Sequence, residues 1–148
     1  MKDNLFGKTE SALYNYKDLD IKIKSIDIDI EMLKNDITLK AISYEEKSGP
    51  TNAFSSSVEN EVIRRDEVVK EEIERLLKDK LLFQKRKAKI ENALDILTKE
   101  ERKLVEMRYF EKKKKEWIEI GLTLNIDKDH CCKVRNKIIN KLSYYIFN

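Results

Sequence analysis

From Tyr16 onward the apolar residues step by three and four positions: Tyr16, Leu19, Ile23, Ile26, Ile30, Leu33, Ile37 and, one heptad later, Tyr44. That spacing is the seam of a coiled coil. Ile21, Ile23, Ile26, Ile28 and Ile30 also alternate locally, so a strand competes, but the heptad is sustained without a turn residue inside it and predicts a helix. A second seam places an apolar residue at every seventh position, Val62, Val69, Leu76, Phe83, Ile90 and Leu97, with Ile73, Leu77, Leu81 and Leu94 widening the stripe. Lys80 and Lys87 interrupt its other seam position. A helix from about Val58 to Leu97 would be on the order of 60 Å long. Such a rod cannot bury its stripe alone, so the first helix must fold back on it or another chain must cover it.

Residues 44–57 form the clear break between these seams. Gly49-Pro50 is a strong turn signal, and Ser56 with Glu59 reads as a capping box opening the second helix. Phe54 in this loop is expected to plug the end of the helical pair. Thr98 and Glu101 form another capping box, where the rod is expected to end and a compact domain to begin. Leu104, Met107 and Phe110 give the next helix an inner face. A charged linker from Glu111 to Glu116 then leads to a helix holding Trp117 and Ile120.

The following stretch pairs two short helices. Ile120, Leu124, Ile126, Cys131, Val134 and Ile138 are spaced to close a small core between them, and Gly121 lets their backbones approach. Asp127 is placed to cap the second of the two. On that helix Cys131, Val134, Ile138, Leu142 and Tyr145 make the core face. The opposite face carries Asp129, Cys132, Lys133, Asn136, Lys137 and Asn140, flanked by Lys128, His130 and Arg135.

Those side chains suit the major groove of DNA. Lys donates to guanine O6 and N7, Asn pairs with adenine N6 and N7, and Asp accepts from cytosine N4. A solvated charged face is the competing interpretation, and the joint occurrence of the frame and the polar face favours DNA. Lys112, Lys113, Lys114 and Lys115 are either a solvated linker or contacts to phosphate. The cluster Lys85, Arg86, Lys87 and Lys89 alternates with glutamates as ordinary surface does. Cys131 reads as a core residue, Cys132 as an exposed thiol, and Trp117 as a packing anchor.

Charge sharpens this picture. The chain is net +3, but residues 98–148 hold 13 Lys/Arg against 8 Asp/Glu, so the positive potential belongs to the C-terminal segment. Three glycines, one proline and 40% charged residues fit an all-α protein. Apolar runs fall far short of the ~20 residues of a membrane span, and no export signal is expected. Adjacent cysteines suit neither a disulfide framework nor a metal site, which places the chain in a reducing cytoplasm.

Catalysis is not expected. One histidine builds neither a His-based triad nor a multi-His metal site, and Gly7, Gly49 and Gly121 are too scattered to cradle a phosphate. No cofactor or metal is expected.

The segment Leu97-Thr-Lys-Glu-Glu-Arg-Lys-Leu-Val-Glu-Met-Arg-Tyr-Phe110, then Trp117-Ile-Glu-Ile-Gly121, the Asn125-Ile126-Asp127 turn and the run through Leu142, resembles the region 4 helix-turn-helix of bacterial sigma factors. The resemblance implies that the helix after the turn reads a promoter element through Lys128, Asp129, Cys132 and Lys133. Cys132 and Lys133 replace the family's usual Arg and Gln, so base preference does not carry over. The charged linker before Trp117 is also longer than usual. A helix, the Ser48–Asn52 loop, the Ser57–Ile63 segment, a long helix and a sigma-like domain together look similar to phage-encoded regulators of the ArpU and RinA type. That likeness implies a small activator of phage or prophage genes.

The expected architecture is all-α: a tail over 1–10 without fixed structure, a long antiparallel, coiled-coil-like hairpin over 11–97, and a tri-helical helix-turn-helix domain over 98–148. The expected function is sequence-specific binding of double-stranded DNA as a transcription regulator, with the hairpin over 11–97 providing either homodimerisation or contact with RNA polymerase. Tyr14, Ile21 and Ile28, opposite the first seam, are either a self-association stripe or packed under the C-terminal domain. Two alternatives stay open: a DNA-packaging subunit of a phage, and a polymerase-binding protein that does not touch DNA.

Overall fold

The computed structural model describes the backbone of residues 2–47 and 55–148 and the side chains of residues 4–36 and 63–148. Every element among them is helical: α1 (Lys2–Lys47), α2 (Ser55–Leu94), α3 (Lys99–Val105) running into a π-helical segment (Glu106–Phe110), α4 (Trp117–Leu124) and α5 (Lys128–Phe147). The Gly49-Pro50 turn and Phe54 lie outside the described residues, as do the side chains of Ile37, Tyr44, Ser56, Glu59 and Val62. None of the described helices is long and apolar enough to cross a membrane.

The chain divides into two compact units. One comprises residues 1–21 with 83–148, the other residues 22–82. In the smaller unit Ile26 and Ile30 of α1 and Leu76 of α2 are buried, and Lys80 Nζ meets Asp27 Oδ1 at 2.5 Å. The seam predicted for α1 is therefore the covered side, whereas Ile21 and Ile28 are 66% and 57% exposed. Leu77 and Leu81, expected to widen the α2 stripe, are about half exposed instead. Lys80 takes the covered position because its long stem lies along the seam while its ammonium reaches an acid on α1.

In the larger unit α1 and α2 run antiparallel. Tyr16 donates to Glu91 Oε1 at 2.7 Å, and four residues later Asp20 accepts from Lys87 at 2.6 Å, so rising numbers on α1 meet falling numbers on α2. The core of this unit joins Leu13 and Leu19 of α1, Ile90, Ala93 and Leu94 of α2, and Leu104, Val105, Met107, Tyr109, Ile120, Cys131, Ile138, Ile139, Leu142 and Ile146. This corrects the expected boundary at Thr98, because both long helices contribute side chains to the core that surrounds α3, α4 and α5.

It also corrects the tail. Residues 2–10 are helical, Thr9 is fully buried with its hydroxyl donating to Leu5 O at 2.7 Å, and Phe6 packs against the core. The helix is not lost there because the apolar spacing continues through Leu13, Thr9 and Phe6, giving its first turns a surface to bury. Tyr14 likewise packs inward, edge-on to Tyr109 with ring centroids 4.7 Å apart.

Local signals set the ends of the short helices. At Thr98 the capping box is complete: Glu101 N–H donates to Thr98 Oγ1 at 3.2 Å and Thr98 N–H to Glu101 Oε1 at 3.0 Å. The π-helical segment closes with Glu111 N–H donating to Glu106 O at 3.1 Å. Lys115 N–H then donates to Met107 O, and Arg108 Nη1 donates to Lys115 O, which folds the charged linker back onto the segment it leaves.

Candidate nucleic-acid interface

α4 ends at Asn125, whose left-handed backbone (φ 62°, ψ 40°) is the one positive φ among the described residues. Asparagine tolerates that conformation better than most side chains. Ile126 N–H then donates to Gly121 O at 2.9 Å, and a Cβ on Gly121 would stand 2.6 Å from Ile126 O. The expected close approach is thus a contact between backbones, and glycine is the residue it admits. Asp127 caps α5, its carboxylate accepting from His130 N–H at 2.8 Å.

α5 presents two sides. Cys131, Ile138, Ile139, Leu142 and Ile146 are buried, and Tyr145, expected in the core, is 43% exposed. At ~100° per residue, Ile139 and Ile146 extend the buried stripe to one side, and Tyr145 falls on its other edge. The core that buries this side of α5 also contains side chains of α1 and α2. The opposite side brings Asp129, Lys133, Asn136, Lys137 and Asn140 together, all exposed, with Lys128 at the first turn.

The remaining predicted residues are placed differently. Cys132 is half-buried at one edge of this face, and burial pushes the neighbouring Cys131 thiol above its ordinary value. His130 turns to the other edge, lining a shallow cavity with Glu100, Glu101, Leu124, Val134 and Lys137. Lys141 is paired with Glu101 at 3.4 Å. The Glu101 carboxyl, although partly desolvated, is held below its ordinary value by Thr98 and Lys141.

Arg135 sits apart from this exposed face. Its guanidinium pairs with Glu10 of α1 at 3.2 Å, lies over the Phe6 ring at 5.5 Å and over the Trp117 ring at 5.1 Å, and its Nε donates to Asn136 Oδ1 at 2.9 Å. The position follows from helical phase, since residue 135 lies on the side of Ile138, Ile139 and Leu142. Trp117 therefore anchors packing, as expected, and also carries Arg108 at 4.6 Å.

Of the lysine run, Lys112, Lys113 and Lys114 are exposed. Lys114 Nζ stands 6.0 Å from the Tyr14 ring centroid, and Lys115 is half-buried and faces Glu111 at 3.7 Å. Sequence reasoning missed Phe6 and Glu10 as neighbours of this site. The three-and-four spacing, followed back past Tyr16 to Phe6, was the signal that points to the first of them.

A family model described as a protein of unknown function, DUF722, matches residues 7–144. No curated protein and no solved structure matches the chain.

Proposed function

We propose that this chain, which belongs to the DUF722 family, is a sequence-specific DNA-binding transcription regulator. One observation carries the reading: Asp129, Lys133, Asn136, Lys137 and Asn140 form an exposed face on α5, opposite a buried apolar stripe and behind a turn closed by Gly121. In this reading α3, α4 and α5 are a tri-helical helix-turn-helix domain and α5 enters the major groove. Lys133 and Lys137 donate to guanine or phosphate, and Asn136 and Asn140 contact base edges. α1 and α2 form a long antiparallel hairpin that supplies dimerisation or a contact to RNA polymerase. A single domain of this size makes few groove contacts, so a second copy or polymerase completes the specificity. The resemblance to sigma region 4 and to phage regulators makes the target promoter DNA and the role activation of phage or prophage genes in the cytoplasm. The reading assigns no catalysis, metal or cofactor.

Selection of bound genomic fragments tests binding and yields the site. Lys133→Ala combined with Asn136→Ala is expected to abolish the specific footprint, and a footprint unchanged by the pair would sink the assignment. A second reading, attachment to polymerase without DNA contact, is favoured by Ile118 and Leu122 on α4, which are 60% and 80% exposed. Salt separates the two, because groove binding weakens with a slope of about −0.9 per phosphate contact and apolar attachment does not.

A further inference from the structure

The residue beside the reading face is held far more firmly than the face itself. Arg135 is half-buried, ion-paired with Glu10 at 3.2 Å, and placed over Phe6 and Trp117 at 5.5 and 5.1 Å. Stacking on rings and pairing with a carboxylate use both the planar and the donor character of a guanidinium, which lysine does not duplicate. From that fixed position Nε donates to Asn136 Oδ1 at 2.9 Å.

The chemistry of this contact orients Asn136. A carboxamide has two nearly equivalent orientations, oxygen or nitrogen toward a given neighbour. Arginine offers donors only, so the amide must turn its oxygen to Arg135 and its NH2 away. Bidentate pairing with adenine needs the oxygen to accept from N6 while nitrogen donates to N7. Oδ1 keeps a second lone pair, but the contact turns it toward half-buried Arg135 and leaves the NH2 outermost on exposed Asn136. The base edge that offers two adjacent acceptors to an outward donor is that of guanine, through N7 and O6.

Resting on the DNA-reading function above, we propose that Arg135 is a positioning residue. Clamped by Glu10, Phe6 and Trp117, it presents Asn136 as a donor that selects guanine over adenine, which makes the first turns of α1 part of the reader. Support from rigid neighbours is what allows a reading side chain to discriminate. Glu10 and Arg135 are 125 residues apart in the chain, so the contact exists only in the folded unit.

The test is a double-mutant cycle read as base preference. Fragment selection with the full-length protein, repeated with Asn136→Ala, identifies the base position that depends on Asn136. There the unaltered protein is expected to favour guanine over adenine by roughly fivefold or more. Arg135→Lys and Glu10→Gln are each expected to shift that position toward adenine, and to change nothing further when combined with Asn136→Ala.

Glu10→Gln carries the test if Arg135→Lys impairs folding. In the DNA-free protein, the Asn136 side-chain NH2 resonances are expected to be ordered and to lose that order in Glu10→Gln. Adenine preferred by the unaltered protein, preference unmoved by both variants, or the same shift with Asn136 removed would each overturn the proposal. Failure of the unaltered protein to select any site would overturn the DNA-reading function itself, and the clamp's reading role with it.

Discussion

Gly121 and Ile126 meet backbone to backbone, the Ile126 N–H on the Gly121 carbonyl at 2.9 Å and the Ile126 oxygen 2.6 Å from where a Cβ on Gly121 would stand. In an exposed helix interior, alanine in place of glycine stabilises by about 1 kcal/mol. Here the clash opposes it, because the atom in the way is backbone and the turn cannot yield without moving α5. Gly121→Ala is expected to destabilise the protein by ~1–3 kcal/mol, the usual cost of overpacking. Urea denaturation measures it, and a raised midpoint would contradict the close approach.

The first turns of α1 hold the larger unit together. Deleting residues 2–10 removes the buried Thr9, the Phe6 packing and the partner of Arg135. The expected loss is ~2 kcal/mol or more, seen as a lower melting temperature. A deletion within about 0.5 kcal/mol of the full chain would be the behaviour of a surface segment without such contacts.

Alkaline pH provides a check on the antiparallel pairing. Burial, together with the hydrogen bond to Glu91, pushes the Tyr16 hydroxyl up to about 12 from its ordinary 10.0. Because the folded value is the higher one, its contribution is fully present below pH 10 and is lost as pH rises toward 12. Stability measured by denaturant titration at pH 8 and pH 11 should fall less in Tyr16→Phe than in the unaltered protein. Equal falls would mean that Tyr16 is solvated.

The lysine run separates into two kinds of side chain. Lys112 and Lys113 are exposed, whereas Lys115 faces Glu111 and its backbone is bonded at both ends. If the run lies along phosphates, Lys112→Ala and Lys113→Ala should each reduce the slope of log affinity against log salt by about 0.9. Lys115→Ala should leave it nearly unchanged. A uniform response of all three would contradict the distinction.

The exposed polar face of α5 was legible in part. Lys133, Asn136, Lys137 and Asn140 were placed together by a period of 3.6 residues, and they are together on the surface. Arg135 was grouped with them because sequence alone does not separate a flank from a core edge. Ile139 and Ile146 were missed for the same reason: the core that buries α5 also takes in side chains of α1 and α2, which are distant in the chain.

Short-range physics was in the sequence itself. The all-helical class follows from apolar periods and from the scarcity of glycine and proline. The Thr98 and Asp127 caps and the glycine at the turn follow from groups three to five residues apart. Tertiary structure decided what long-range partners do. It drew Phe6 and Thr9 into the core, gave Lys80 and Lys87 their acids on α1, and took Arg135 from the exposed face of α5 to Glu10. A charged side chain on a helix looks the same whether water or a carboxylate awaits it. The difference is made by a residue that only folding brings within 4 Å.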